Sequence, residues 1–379
     1  MTSSSPAKSE KTNLFTRIVW VLNIFALIGL AFSYLAAYVS PRTIWWLALF
    51  GLGYEFMLVI NLIFVAYWAL TRNRKLWFSL IFVLIGIGKI FGIIQFNPES
   101  ADEKTLAEQG HVKVMSWNVR LFDLYNWFHN NETRHNIFNF LKEESPGIIC
   151  FQEFYSTDRK KPDYRNADTV HHYLNSKYSH IEYTVTLRKT DHWGIATFSK
   201  YPILNKQAVH FQKRGGNIFI YTDIKAGEDT IRVFNTHLES VRFRWEDYKF
   251  IQNLGNDEVQ QDEVKGGLNI LRRLKRAFVK RSMQVQVLHD TMDASPYPII
   301  LCGDFNDSPP SYTYHILADD LKDAFRESGS GFGKTYSGPF PSFRIDYIFH
   351  DKRINSYGYK TMREELSDHY PVSCWVELP

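Results

Sequence analysis

The chain has 379 residues, of which 45% are apolar and 16% aromatic, and its formal net charge is +4. This length accommodates a membrane region together with a globular domain of ordinary size. A net charge so close to zero gives no overall electrostatic preference for nucleic acid. The three cysteines, Cys150, Cys302 and Cys374, lie in apolar runs without a C-x-x-C pair. The pattern excludes a structural zinc site of that type and predicts buried thiols.

The first quarter of the chain is dominated by long apolar stretches. Residues 1–17 are expected to form a disordered cytoplasmic leader, and residues 18–96 a region of three transmembrane helices. The stretches run over 18–39, 44–70 and 76–96, and each approaches or exceeds the roughly 20 residues that a helix needs to cross a bilayer. A signal peptide is the alternative for the first stretch, but its length and the two stretches after it favour a membrane helix.

Charged residues around these stretches predict an orientation. The basic residues before the first stretch and after the second are Lys8, Lys11, Arg17, Arg72, Arg74 and Lys75, with only Arg42 between the first and second. Because positively charged loops stay in the cytoplasm, we expect an integral multi-pass protein of a bacterial inner membrane, with everything after residue 96 extracytoplasmic. Glu55 and Lys89 lie inside the stretches. They form either a polar site or, as we favour, a helix-packing pair, unless Lys89 extends outward to the interface.

After the apolar stretches the sequence changes character. Residues 97–110 form a polar linker that is expected to keep the following domain near the membrane. From residue 111, β-rich runs such as VKVMSWNV and YPIILCGDF alternate with helical patterns such as 133–144 and 268–291. This alternation predicts a layered α/β domain over residues 111–379.

Polar side chains stand where the apolar runs of this domain end, so they are expected to gather at one edge of a sheet. They are Asn118, Glu153, His237, Asp304, Asn306, Asp346, Asp368 and His369. Each alone is more often a turn residue, and only the set in this order carries weight. Carboxylate and amide oxygens suit Mg²⁺ or Mn²⁺. Together with imidazoles they suit hydrolysis of a phosphate ester, in which a carboxylate orients or deprotonates water.

Other hydrolase and nucleotide-binding signatures do not occur in the sequence. It contains no H-E-x-x-H, no G-x-S-x-G and no Walker-type glycine-rich loop. Zinc-protease, serine-hydrolase and P-loop chemistry are therefore not indicated.

Seven segments repeat, in order, the motifs of one known superfamily. They are SWNVRLFD (116–123), FQEF (151–154), GIATFSKYPI (194–203), FNTHLES (234–240), LCGDFND (301–307), RIDYIF (344–349) and SDHYPV (367–372). Through them the chain resembles the endonuclease/exonuclease/phosphatase superfamily, which includes deoxyribonucleases, apurinic endonucleases and neutral sphingomyelinases. The resemblance covers residues 111–379 and implies a layered α/β sandwich, in which two packed β-sheets are flanked by helices.

The resemblance also implies a divalent metal and an attacking water. Asn118 and Glu153 correspond to the pair beside the metal, with Glu153 as the principal Mg²⁺ ligand, and Asp368 to a second carboxylate on the metal side. Asp304 corresponds to the carboxylate that positions or activates the water. Asn306 corresponds to the residue that orients the water or the phosphate.

The remaining implied roles concern two imidazoles. His237 and His369 correspond to the histidines that contact phosphoryl oxygens, and Asp346 to the carboxylate that orients His369. Asp191 is a looser match for a residue that supports His237.

Three classes of function remain open at this stage. They are a nucleic-acid phosphodiesterase, a hydrolase of phospholipid headgroups resembling neutral sphingomyelinases, and a non-catalytic membrane-tethered protein that binds phosphate ligands. The intact motifs disfavour the third. An insertion over 242–281 ends in the basic run RRLKRAFVKR (272–281), which either contacts phosphate groups or is a solvated helix. The expected partners are a phosphodiester substrate and a lipid bilayer, the latter through residues 18–96; no obligate protein partner is inferred.

Overall fold

A computed structural model of the protein describes residues 14–98, 102–160, 164–212, 216–244, 246–247, 261–338 and 344–378. Most of the predicted leader, residues 1–13, lies outside the described residues. The rest of it, residues 14–17, is already helical, because the first helix begins at Leu14.

The N-terminal region is helical, and its helices are shorter than the hydropathy pattern predicts. They are α1 (Leu14–Leu35), α2 (Leu47–Leu52), α3 (Tyr54–Leu70), α4 (Leu76–Ile85) and α5 (Ile87–Ile90). Among the described residues only α1, with 22 residues, is long and apolar enough to cross a membrane, whereas α3 has 17 residues and α4 has 10. The prediction of three transmembrane helices is therefore wrong, and multi-pass membrane insertion is not supported.

Glycines explain where the second and third apolar stretches break. The second divides between α2 and α3 at Gly53, and the third between α4 and α5 at Gly86. Glycine weakens a helix interior, and at Gly86 the Tyr34 ring occupies the place that a Cβ would take. The third stretch then ends in strand β1 (Ile94–Phe96), which pairs with β11 (Ser330–Phe332) of the globular domain.

The globular domain contains two six-stranded mixed sheets. The first has the order β13-β14-β2-β3-β5-β4 and the second the order β10-β12-β9-β8-β7-β6. The strands of the first are β2 (Val112–Asn118), β3 (Ile148–Thr157), β4 (Tyr178–Leu187), β5 (Asp191–Ser199), β13 (Asn355–Thr361) and β14 (Val372–Glu377). The strands of the second are β6 (Ile203–His210), β7 (Ile218–Ala226), β8 (Asp229–His237), β9 (Ile299–Asp304), β10 (Leu321–Asp323) and β12 (Asp346–Asp351). Each sheet contains one parallel pair, β2 with β3 and β8 with β9.

Three apolar layers hold the two sheets and their helices together. The central layer joins both sheets and buries the free thiols of Cys150, Cys302 and Cys374, as the sequence predicted. The outer layers lie beneath helices on each side. These helices are α7 (Thr133–Glu144) and α8 (Asn166–Leu174) on the first sheet, and α9 (Gln261–Asp293) and α10 (Tyr312–Ala318) on the second. The short helix α11 (Ala324–Ser328) packs Ala324 and Phe325 into the central layer instead. The predicted sandwich of two packed sheets flanked by helices is confirmed.

The N-terminal region and the predicted linker both contact this domain. The guanidinium of Arg344, buried and paired with Asp323 at 2.6 Å, donates from Nε to the carbonyl oxygen of Gly92 at 3.0 Å. Within the linker, α6 (Glu103–Glu108) places Glu103 2.8 Å from the Lys113 ammonium. These contacts fix the position of the helical region relative to the sheets.

The two charges of the predicted spans do not pair with each other among the described residues. Lys89 Nζ lies 5.1 Å from the centre of the Tyr38 ring, and the Tyr38 ring in turn packs edge-on against His315 of α10. Glu55 lines a small pocket together with Arg344. Both charged side chains therefore face the globular domain, and the favoured helix-packing pair is not found.

A buried histidine between the sheets makes folding sensitive to acid. His180 of β4 is 5% exposed and lies 2.9 Å from the Thr222 hydroxyl of β7. Burial, helped by the charge of Lys206, lowers the pKa of His180 to about 4. Because the unfolded chain binds this proton more readily, stability falls as pH drops from about 6.5 towards 4.

We expect the folded protein to lose about 2 kcal/mol through His180 between pH 7 and pH 5. Urea unfolding followed by tryptophan fluorescence at the two pH values measures the loss. In His180→Gln this part of the pH dependence should disappear. An equal pH dependence in both proteins would contradict the assignment.

Candidate active site

The parallel strand pairs bring the motif residues to one edge of the sandwich. Asn118 ends β2, His237 ends β8 and Asp304 ends β9. His237 is the register partner of Asp304, which in turn faces Asp346 at the start of the antiparallel β12. Polar residues that were separated by more than two hundred positions in the sequence thus share one site.

Local backbone features shape the site at two positions, Glu153 and Gly303. Glu153 lies where the pairing of β3 with β5 shifts register between Phe151 and Phe154, and its φ is 49°. Such a bulge redirects a side chain away from the regular alternation of a strand. Next to Asp304, any Cβ on Gly303 would collide with the Thr236 carbonyl oxygen. Glycine therefore allows the close approach of β8 and β9 at the site.

The Asp304 carboxylate lies at the centre of the cluster and is 1% exposed. Its Oδ2 accepts a hydrogen bond from Asn118 Nδ2 at 3.0 Å, and its Oδ1 accepts one from the Asn306 backbone N–H at 2.8 Å. His237 Nε2 and His369 Nε2 lie 3.5 and 3.8 Å from Oδ2. Burial raises the pKa of Asp304 despite the attraction of the two histidines, so this carboxylate is a stronger base than an exposed one.

His369 is held by a carboxylate on its far side. Its Nδ1 lies 2.9 and 3.1 Å from the two carboxylate oxygens of Asp346. Burial alone would lower the pKa of His369, but the charges of Asp346 and Asp304 outweigh it and raise this pKa well above the ordinary value. These carboxylates favour the protonated ring, whose Nε2 lies 3.8 Å from Asp304 Oδ2. The predicted orienting contact between Asp346 and His369 is present.

Of the remaining predicted residues, Glu153 and Asp368 line the cleft and Asp191 does not. Glu153 Oε1 lies 4.0 Å from His237 Nε2, and Asp368 lies 3.4 Å from the Arg120 guanidinium. Both carboxylates line the same cleft as Asp304. Asp191 differs, since its described partners are Tyr155, Thr157 and Arg159.

The predicted support of His237 by Asp191 is thus not found among the described contacts. The reason lies in the pairing of the strands. Asp191 begins β5 opposite Thr157, four residues beyond Glu153 on β3, and its carboxylate is satisfied there.

Three residues of the site had no role in the sequence prediction. Arg120 pairs with Asp368 and lies over the Trp127 ring. Tyr336 packs edge-on against the His369 ring, with centroids 5.2 Å apart. Arg281, noted only as part of a basic run, is 1% exposed and its Nε lies 3.1 Å from Asp307 Oδ2. Only Arg120, two residues after Asn118 in SWNVR, carried a local signal that could have revealed it.

A cleft of about 330 Å³ opens above the acidic cluster. Its floor includes Glu153, Asp304, Asp368 and His369. Carboxylate oxygens from several segments face this opening. Hard divalent cations prefer oxygen ligands of this kind. Glu153 has no Lys or Arg within ion-pair distance among the described residues. The side chains therefore fit a divalent cation.

Fold and site together place the chain in a class of two-sheet α/β proteins that hydrolyse phosphate esters. Residues 115–369 match the model of the endonuclease/exonuclease/phosphatase family. The chain belongs to this family, whose members act on phosphoester bonds and are generally dependent on divalent metals. A model for a domain of unknown function matches residues 16–92. No curated protein matches the sequence at a significant level.

Solved structures share the fold at low sequence identity. A family member from Bacteroides thetaiotaomicron is 15% identical with a TM-score of 0.51, covering 70% of this chain and 94% of that one. A mannosyl-6-phosphatase from the same organism is 14% identical with a TM-score of 0.50, covering 70% and 100%. A D. rerio TDP2 humanized by 14 mutations is 14% identical with a TM-score of 0.50, covering 71% and 100%. These likenesses extend to the fold alone.

Proposed function

We propose that this protein is a phosphodiesterase that depends on Mg²⁺ or Mn²⁺ and cleaves its substrate by direct attack of an activated water. The observation that carries the proposal is the position of Asp304. A buried carboxylate of raised pKa lies between two imidazoles, one of which is fixed by a second carboxylate. This hydrolysis requires a general base beside groups that donate hydrogen bonds to the phosphoryl oxygens.

Each side chain then has one task. Asp304 accepts a proton from the water and Asn306, whose backbone holds Asp304, orients the water or the phosphate. His369 donates from Nε2 to a phosphoryl oxygen, since Asp346 occupies its Nδ1. His237, whose Nε2 also lies near Asp304 Oδ2, contacts a second phosphoryl oxygen. Both contacts stabilise negative charge that develops in the transition state.

The metal is assigned to the Glu153 side of the cleft. Glu153, the Asn118 amide oxygen and Asp368 would hold it. A divalent cation there would offset the charge of the phosphoryl oxygens. Asp304, Asp346 and His369 also present ligand atoms within 4.8 Å of one another. We assign them to proton handling, because His369 Nδ1 is already bonded to Asp346.

A pair of chromogenic esters tests the proposed activity. The full-length protein in detergent with Mg²⁺ should hydrolyse bis(p-nitrophenyl) phosphate faster than p-nitrophenyl phosphate. A preference for the monoester would reassign the protein to the phosphatases. Failure to hydrolyse either ester, with tight binding of inorganic phosphate, would favour the non-catalytic alternative.

The same proposal includes attachment to a membrane through α1. Only 28% of its most apolar window is buried, and large apolar side chains of α3 and α4 are exposed beside it. They include Phe56, Ile63, Leu70, Trp77, Phe78 and Ile85. An apolar surface of this extent suits lipid. Lys8 and Lys11 precede α1, and if they stay in the cytoplasm the catalytic domain lies on the extracytoplasmic side.

A reporter enzyme fused after Pro379, active only outside the cytoplasm, tests this location. We expect high reporter activity in the membrane fraction. Activity in the soluble fraction, with a mature N-terminus beyond α1, would show that α1 is a cleaved signal sequence. Reporter activity confined to the cytoplasm would contradict the orientation.

A further inference from the structure

One wall of the active-site cleft is apolar. It is formed by Leu52 at the end of α2, Val241 and Phe243 after β8, and Ile270, Leu274 and Phe278 of α9. The last three are spaced four residues apart, so they lie along one face of the helix. The wall begins next to Asp304 and His369, which line the same cleft.

Apart from the buried Phe278, the residues of this wall are only partly buried. The C-terminal half of α9 packs Val285, Leu288 and Met292 into the apolar layer beneath the second sheet. Ile270 and Leu274, in the other half, belong to none of the described core layers, and remain partly exposed. An apolar surface that is continuous with a reaction centre, and not used for packing, is suited to bind an apolar part of the substrate.

Four of the six cations of the basic run on α9 lie against acidic side chains of the domain. Of the basic run on α9, Arg276 and Lys280 lie 3.7 and 3.3 Å from the buried Glu239. Arg273 and Arg281 lie 3.0 and 3.1 Å from Asp247 and Asp307. A groove for a nucleic-acid strand presents unpaired cations and stacking rings along the backbone. Arg276 and Lys280 share the Glu239 carboxylate, and Arg272 and Lys275 have no acidic partner among the described residues, so the run keeps a positive charge. Most of its cations are nevertheless held against acidic side chains of the domain and do not form a continuous row of free charges.

The position of Leu52 connects the wall with the N-terminal region. Leu52 is the last residue of α2, immediately before the apolar helix α3, and the Lys275 ammonium of α9 lies 5.3 Å from the Trp45 ring centre. The apolar wall therefore runs from the reaction centre towards the surface that the proposed function places in lipid.

From these observations we infer that the cleft contains a chain-binding subsite, and that the substrate is a phosphodiester carrying a long alkyl or acyl chain, supplied by the bilayer. This inference rests on the proposed phosphodiesterase activity. The phosphodiester lies over Asp304 and His369, and the chain lies against Ile270, Leu274 and Leu52.

A series of alkyl p-nitrophenyl phosphates tests the subsite, with the full-length protein reconstituted in phosphatidylcholine vesicles. Each buried methylene contributes about fourfold to binding. The octyl ester has seven more methylenes than the methyl ester, and with about half of them buried against the wall we expect kcat/KM to increase by on the order of 10²-fold. Equal values for both esters would overturn the subsite alone, whereas hydrolysis of neither would overturn the proposed function. Faster cleavage of a single-stranded oligonucleotide than of the octyl ester would also overturn the chain-binding subsite.

Variants on α9 make the test specific. Leu274→Gln should reduce the octyl-to-methyl ratio of kcat/KM at least tenfold, on the order of two buried methylenes. Val287→Gln is the matched control, because Val287 is an exposed residue of the same helix, and it should keep the ratio of the wild type. If Leu274→Gln does not fold, Ile270→Gln one turn earlier provides the same measurement. An unchanged ratio in the folded variant would overturn the subsite.

A hexadecyl ester distinguishes a bilayer source from a soluble amphiphile. Embedded in the same vesicles as the protein, it should be cleaved at least as fast as the dissolved octyl ester. Cleavage of the octyl ester without the hexadecyl ester would overturn the assignment to a bilayer lipid.

Discussion

Asp304→Asn should lower kcat by on the order of 10²–10³-fold or more while leaving the protein folded. The amide keeps the shape of the side chain and can still accept the hydrogen bond from the Asn306 backbone. It cannot accept a proton from water, and it removes the negative charge between His237 and His369. Initial rates with bis(p-nitrophenyl) phosphate at saturating Mg²⁺ measure the effect.

The matched control for this loss is Asp290→Asn on the exposed surface of α9, with 66% of its side chain accessible. It makes the same chemical change far from the cleft and should keep the wild-type rate. A kcat for Asp304→Asn within a few-fold of the control would remove Asp304 from the mechanism. Circular dichroism of the two variants should agree, since neither replaces a side chain by a larger one.

His369→Ala is expected to cost a similar factor, on the order of 10²–10³ in kcat, because it removes a charged donor to the phosphoryl group. A second variant distinguishes the loss of the charged donor from a loss of folding. Asp346→Asn keeps the imidazole but removes the charge that raises the pKa of His369. The imidazolium is the active form, so activity is present below the pKa of His369 and is lost as pH rises through it.

The Asp346→Asn variant should therefore lose activity at a lower pH than the wild type. A pH profile of kcat from pH 5 to pH 10 measures the displacement of the alkaline limb. The wild type should remain active through neutral pH, because the pKa of His369 lies well above its ordinary value. Superimposable profiles for the two proteins would show that His369 does not act as the cation.

The sequence predicts those site residues that stand directly at the end of an apolar strand. Asn118, His237 and Asp304 each follow an apolar run, and strands that share a sheet edge bring such residues together. Asp191 also stands next to a strand, but its place depends on the register of β5 against β3. No pattern within either strand fixes that register, so the sequence could not show that the Asp191 carboxylate lies against Tyr155, Thr157 and Arg159.

The prediction of three transmembrane helices was wrong for a different reason. Hydropathy averages apolar residues over a window and does not register a single glycine, yet Gly53 and Gly86 divide the second and third stretches. Contacts made by tertiary packing were equally hidden. Leu52 and Leu274 are more than two hundred residues apart and line one cleft. Only the position of α9 against the N-terminal region shows that they belong to one wall.

Dependence on a divalent metal through Glu153 is the most direct test of the account. The rate of phosphodiester hydrolysis should rise to saturation with Mg²⁺, fall to background in chelator and recover when Mg²⁺ or Mn²⁺ is added back. In Glu153→Gln the Mg²⁺ concentration for half-maximal rate should increase by on the order of 10–10²-fold, as expected when a charged ligand becomes neutral. A wild-type rate that persists in chelator, or a Glu153→Gln variant with the wild-type Mg²⁺ dependence, would contradict it.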